Sequence, residues 1–242
     1  MSPNTSFQRT LTRAGFRPLN SDRYVGLISM KPESKTSLIR RWSAGYLSEV
    51  EPELRMILID HNAEFERTLD LRGIKIPDDV NHPRDLWHVG IVDGILTNID
   101  FTFGDLGLNI IGSVVENINF SSTRFSRVIL DQTSLRKCSF SKANLVVNMN
   151  DTTSTDCDFS GALFGATRSL KEFGGRRTTF TQCDFSETQF RRVEFRASTF
   201  IDCIFEGTRF QGCDMRGATF AGKRPTSSQF NHSCLMPTLE AT

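Results

Sequence analysis

Few side chains in this sequence could do chemistry, and their spacing does not favour it. Four histidines occur: His61 after Asp60, His82 and His88 on either side of Asp85, and His232 near the end. Nucleophilic catalysis needs a Ser, Cys or carboxylate within hydrogen-bond reach of a base, and no recognisable spacing supplies one. Six cysteines stand at Cys138, Cys157, Cys183, Cys203, Cys213 and Cys234. None forms a CxxC pair or joins a histidine pair at metal-ligand spacing. Gly174-Gly175 before Arg176-Arg177 is the nearest approach to a phosphate-cradling loop, and it matches no such pattern. The expectation is a chain without catalytic, cofactor-binding or metal-binding residues, not an enzyme, and with no cofactor.

The cysteines lead instead to the elements that hold them. Every fifth residue from Phe180 gives Phe180, Phe185, Phe190, Phe195, Phe200, Phe205, Phe210, Met215 and Phe220. Two residues before each lies a small or β-branched side chain: Thr178, Cys183, Thr188, Val193, Ser198, Cys203, Thr208, Cys213 and Ala218. A period of five fits neither the helix nor the strand repeat, so it marks an internal repeat. The count of 20 Phe against two Tyr and two Trp suits a Phe-stacked interior.

Cys-Asp-Phe-Ser-Glu at 183–187, Ala-Asn-Leu-Val-Val at 143–147 and Cys-Asp-Met-Arg-Gly at 213–217 resemble the motif of the pentapeptide-repeat family. The resemblance implies a mainly β fold: a right-handed quadrilateral parallel β-helix with one pentapeptide per side and twenty residues per coil. The central residue and the small residue two before it would point inward. Cys183 and Cys203 would then stack on adjacent coils, about 4.8 Å apart, as buried free thiols.

The phase extends backwards. Leu71, Ile76, Leu86, Ile91, Leu96, Phe101, Leu106 and Ile111 share one register, with Asn81 in the missing step and 77–85 reading as a displaced loop. It slips by one before Phe120, then holds through Phe125, Leu130, Leu135, Phe140 and Leu145. One residue is missing before Phe159 and one is extra between Phe164 and Phe180, which predicts distorted corners near 147–156 and 167–177. The sequence therefore divides into an N-terminal arm and helical module (1–68), a β-helix of about seven coils (69–230) and a tail (231–242) in which Phe230 could cover the last coil. Within 1–68, residues 1–30 read as an irregular arm with a short strand at Tyr24–Ile28, and 34–67 as two helices. The first carries Leu38, Ile39, Trp42 and Tyr46. The second starts near Pro52 and carries Leu54, Ile57, Leu58 and Phe65, with Glu64 placed to pair with Arg67. This module is either a cap on the open end of the coil or a partner-binding element.

Lys plus Arg number 29 against 28 Asp plus Glu, so no imbalance points to nucleic acid or a membrane. With no run long enough to span a bilayer and no signal pattern, the expected location is cytoplasmic. Arg136, Asp156, Arg176, Arg196 and Arg216 follow central positions at steps of twenty, with Arg177, Arg191 and Arg192 near them. They read either as locally paired, through Glu194 and Asp214, or as a basic face for an acidic partner, with Arg136, Arg176, Arg192, Arg196 and Arg216 as the partner-binding residues. The expected function is that of a non-catalytic bacterial interaction protein, a rigid rod that blocks or scaffolds a protein partner. The alternative, implied by the resemblance, is a DNA-mimic member that binds DNA gyrase or topoisomerase IV. Residues 91–230 hold 16 Lys plus Arg against 15 Asp plus Glu, which counts against mimicry and equally against direct nucleic-acid binding.

Overall fold

The computed structural model describes residues 33–42, 46, 49–76, 90–165 and 173–236. The loop at 77–85, with His82, and also Leu86, His88 and the arm at 1–30 lie outside the described residues.

A period of five turns the chain through one corner per repeat, so four columns of rungs stack into a rod. The first face is a parallel sheet of eight strands, from Asn62–Asp70 to Thr219–Ala221. The third is a parallel sheet of seven, from Lys75–Ile76 to Arg209–Gln211. The second face is a bridge column running Asp100, Asn119, Ser139, Asp158, Asp184, Ile204. The fourth pairs Gly90–Val92 with Asn109–Ile111, then continues as Asn148, Gly174, Glu194, Asp214, Leu235. The fold is a parallel β-solenoid with two short described helices. All strand pairs are parallel, as a chain winding in one direction requires.

The central residues fill the bore. Phe101, Phe120, Phe140, Phe159, Phe185 and Phe205 stack up the second face. Phe164, Phe190, Phe210 and Phe230 stack up the third, and Phe180, Phe200 and Phe220 up the first. Centroid separations run from 4.5 to 5.6 Å, the strand spacing itself. The ladder from Phe180 to Met215 is buried and Phe220 is half-buried at the last coil. Each buried Phe contributes about 1.5–3 kcal/mol.

The small inward positions carry a second set of bonds between coils. Thr133, Thr152, Thr178 and Ser198 donate to the carbonyls of Ile110, Leu130, Met149 and Gly175 at 2.6–2.9 Å. Thr123, Thr188 and Thr208 do the same to Phe101, Phe159 and Phe185 at 2.7 Å. On the two other faces the equivalent positions hold Cys138, Cys157, Cys183 and Cys203, and Cys213 with Cys234, all buried and free. Their thiols point at the same kind of carbonyl as weak donors, Cys183 Sγ at 3.5 Å from Ser154 and Cys213 Sγ at 3.3 Å from Phe190.

Departures from the five-residue step gather on one edge. From third to fourth face the central residues run Ile76 to Ile91, Leu106 to Ile110, Phe125 to Leu130, Leu145 to Met149, Phe164 to Gly175, Phe190 to Phe195 and Phe210 to Met215. Four of these seven corners are longer or shorter than five. The other edges keep strict fives above the first rung, which is bulged between Glu64 and Leu69. Two expectations change. Ile110 rather than Ile111 is the buried central residue, because the short corner falls before it. Residues 62–70 are strand rather than helix: pairing with Ile95–Asp100 claims their backbone, and Phe65, Glu64 and Arg67 leave the predicted helix face with it. The rod also reaches past 230, since Leu235 still bridges Asp214.

One coil carries small residues at two central positions, and at the glycine the space is taken by Thr178 and Met149. Its central residues on the first and fourth faces are Ser154 and Gly175, where neighbouring coils have Leu135, Phe180 and Phe195. Ser154 is buried and its hydroxyl has no hydrogen-bond partner.

Two stability measurements check this packing. Phe195→Asp puts an unpaired charge in the bore and should cost about 4 kcal/mol or more; a wild-type melting temperature would show the register to be wrong. Ser154→Ala removes an unsatisfied buried hydroxyl and should stabilise the rod by about 1 kcal/mol, read in the same thermal or denaturant melt.

Candidate interaction surface

An inward central residue aims the next residue outward, so residues 176, 196 and 216, which follow Gly175, Phe195 and Met215, form an outward column on the fourth face. Three arginines stand there one coil apart. They are paired locally: Arg176 Nη2 to Glu194 at 2.9 Å, Arg196 Nη1 to the same carboxylate at 3.4 Å, and Arg216 Nη2 to Asp214 at 2.6 Å. The hydrogen bond from Arg216 holds Asp214 below the usual carboxylate range. All three guanidiniums stay about half exposed.

Arg136 does not join them. Its backbone is in register with Glu116 and Thr155 on the first face. The four-residue corner at 145–149 and the six extra residues between Phe164 and Gly175 break the twenty-residue spacing that would have aligned it with Arg176. Arg192 occupies the left-handed corner between the third and fourth faces, with φ of 53°. Arg191 precedes it at the end of the same third-face rung, and Arg209 stands at the start of the next rung, in register with Gln189. Among the described residues no carboxylate pairs with Arg191, Arg192 or Arg209. Fixed twenty-residue steps could not find this group, because its members belong to different columns; a count of unpaired arginines per face would have.

Between Asn148 and Glu194 the outward column has no side chain, because the rung residue is Gly174. A shallow polar depression of about 450 Å³ results, bounded also by Phe173, Asn150 and Arg176. Gly174 adopts φ of 131°, and a Cβ there would strike the Glu194 backbone. The lower wall is held by Asn150, which donates to Asp131 at 3.2 Å and accepts from the Arg176 amide at 3.0 Å. Arg177 closes one side with Asp151 at 2.6 Å.

Carboxylates on the second face serve the corners. Asp100, Asp158 and Asp184 each accept from the backbone N–H two residues on, at 2.7–2.8 Å, as Asn119 does at 3.0 Å. Asn119, Ser139 and Ile204 interrupt this column, so it makes no continuous acidic stripe.

The N-terminal helices pack on the first coil. Helix α1 (Lys35–Arg40) is capped by Ser34 and buries Leu38. Helix α2 (Glu51–Leu58) has its proline in the first turn and buries Leu54 and Ile57, which with Val50 continue the core of the bore. A buried ionic cluster fastens the end of α1 to the coil. Asp70 takes two bonds from Arg41, at 2.6 and 2.8 Å, and two from Arg72, at 2.7 and 2.9 Å. Arg41 lies 5.4 and 5.0 Å from the rings of Trp42 and Tyr46, and Trp42 donates to the Arg72 carbonyl at 2.9 Å. Burial alone would raise the Asp70 pKa, but the hydrogen bonds from Arg41 and Arg72 outweigh it and hold it well below the carboxylate range. His61 sits in the turn after α2, its Nδ1 3.3–3.4 Å from the Val92 backbone.

Among the described residues no group of three or more His, Cys, Asp or Glu is placed to hold a metal ion. No described helix is long and apolar enough to cross a membrane.

Four in-register columns, one pentapeptide per side, define a pentapeptide-repeat solenoid. The chain matches the family model "Pentapeptide repeat region" over residues 176–239 and "Pentapeptide repeats (8 copies)" over 116–146. It is a pentapeptide-repeat protein. No curated protein matches it. Among solved structures it is similar to full-length QnrB1, a plasmid-mediated fluoroquinolone resistance protein, at 16% identity and a TM-score of 0.46, covering 72% of this chain and 93% of that one. It is also similar to HetL, a pentapeptide repeat protein involved in heterocyst differentiation regulation from the cyanobacterium Nostoc sp. strain PCC 7120, at 12% identity and a TM-score of 0.30, covering 65% and 85%.

Asp70→Asn leaves two buried guanidiniums short of their counter-charge and should cost about 3–5 kcal/mol. The sign with pH follows from a lowered folded pKa. The contribution is complete above the unfolded value of about 4 and is lost as pH falls through the folded value. Wild type should therefore lose stability on acidification below about pH 4 in a step that the Asn variant lacks, measured by denaturant melts across pH.

Proposed function

We propose that this chain is a non-catalytic interaction protein, a rigid rod that binds a protein partner and blocks or scaffolds it through the edge where the third and fourth faces meet. The observation that carries this reading is the concentration of irregular corners on that one edge, which Arg191 and Arg192 share with the half-exposed column Arg176, Arg196 and Arg216; Arg209 adds a further cation on the adjoining third face, and no described carboxylate pairs with Arg191, Arg192 or Arg209. In repeat folds, insertions collect on the face that meets a partner. The arginines select an acidic surface on that partner, and flat β faces with fixed spacing keep the ordering cost of binding low. Recognition by charge at an exposed rim acts mainly on association rate and specificity.

The topoisomerase reading, in which the rod takes the place of DNA on gyrase or topoisomerase IV, calls for a continuous negative face. The interrupted Asp column of the second face, whose carboxylates are spent on corner amides, does not favour it.

The test is capture from the native host with mass spectrometry, comparing wild type with Arg191→Glu, Arg192→Glu, Arg209→Glu. The melting temperature should stay within a few degrees, because surface changes of this kind cost about 0.5 kcal/mol or less each. The acidic partner should be lost. Recovery of the same partner in equal yield by both proteins would remove this edge from the mechanism.

A further inference from the structure

The lower coils carry an apolar surface that neither the bore nor the arginine edge uses. At the corner between the fourth and first faces, Val92 and Ile95 flank the turn of one coil. Ile111 and Val114 flank it on the next, in register with them. Val92 is 46% exposed, Ile95 37% and Val114 38%, and Ile111 is partly exposed. These are three of the six large apolar side chains exposed among the described residues. The quartet ends abruptly: one coil up, the same positions hold Asp131 and Ser134. Single exposed apolar residues are ordinary, whereas a contiguous set rimmed by charge marks a covered surface.

The rim is acidic. Asp93 sits at the apex of the corner, Glu116 shares the outward side with Val114, and Glu64 and Asp131 lie below and above. Arg136, above Glu116, is the cation on this rim. From Gly90 to Thr123 the sequence has Asp93, Asp100, Asp105 and Glu116 and no Lys or Arg.

Charge chooses among the occupants. A second copy docking its own quartet would bring acidic rim against acidic rim. Segment 77–89 carries Asp78, Asp79 and Asp85 against Arg84, again the wrong sign. Residues 1–32 carry Arg9, Arg13, Arg17, Arg23 and Lys31 against Asp22, with the apolar run Tyr24-Val25-Gly26-Leu27-Ile28. They join the rod at Glu33, whose carboxylate is 3.6 Å from Arg72 on the second face. The first face separates that point from the quartet and is one pentapeptide wide, at most about 17 Å, while the nine residues from Tyr24 to Glu33 reach about 30 Å.

We propose that the N-terminal segment 1–32 docks in cis on the Val92, Ile95, Ile111, Val114 quartet, its apolar run covering the patch and its arginines facing the acidic rim.

Limited trypsin digestion of the full chain tests this, since Arg9, Arg13 and Arg23 are cleavage sites. Cleavage there should be about tenfold slower in wild type than in Ile95→Ser, Val114→Ser, because proteolysis follows the undocked population. The substituted side chains are solvent-exposed and the melting temperature should be unchanged. A second variant leaves the rod untouched: Arg9→Glu, Arg13→Glu, Arg17→Glu should accelerate cleavage after Arg23 to the same extent, and this arm decides the matter should the first variant fold poorly. Equal cleavage of wild type and variants overturns the proposal. Protection that fades on dilution also overturns it and makes a second copy the occupant.

Discussion

Each coil of this protein is held to the next by side chains that repeat at the strand spacing, and every other feature depends on that coincidence. A ring at the central position meets a ring one coil away at about the distance at which aromatic faces pack. Backbone ladders and aromatic ladders therefore share one period. Because the inward side chains must stay in column, the chain is obliged to turn at each corner. It does so with left-handed residues, including Asn98, Arg127, Gln132 and Ala197, conformations disfavoured for ordinary side chains. The stacked core and the threonine-to-carbonyl bonds outweigh that local cost. Where the central residues are small, at Ser154 and Gly175, the neighbouring corner carries the six-residue insertion.

The polar chemistry of the rod is spent largely on itself. Aspartates at the second motif position cap corner amides, and Glu194 and Asp214 occupy the arginines of the fourth face. Asp70 binds two arginines under the N-terminal helices. Exposed ion pairs like those of the fourth face contribute little to stability. They fix where the charge of that face lies, while the buried Asp70 cluster fastens helix to coil. The helices bury Leu38, Leu54 and Ile57 against the first coil, and charge and apolar area are left over at the arginine edge and at the Val92 corner.

The motif's five-residue period made the inward residues legible one by one. Phe180 to Phe220, the small residues two before them and the free, stacked cysteines are where the spacing puts them, because an apolar ladder tolerates no side chain out of column. The helical reading of 62–67 failed for a physical reason. Leu54, Ile57, Leu58 and Phe65 can be drawn on one helical face, yet the open edge of the Ile95–Asp100 rung offers in-register backbone partners to residues 62–64 and 69–70 on either side of a bulge, which an isolated helix turn cannot match.

The sequence by itself determined the coil, its bore and its repeat length, since these follow from side-chain size at fixed spacing. Which outward residues share a face was decided only by the tertiary structure. Outward side chains have no neighbour to enforce their column, and their position is the running sum of every corner before them. One four-residue corner after Leu145 and one long corner after Phe164 moved Arg136 to the first face, away from Arg176 on the fourth.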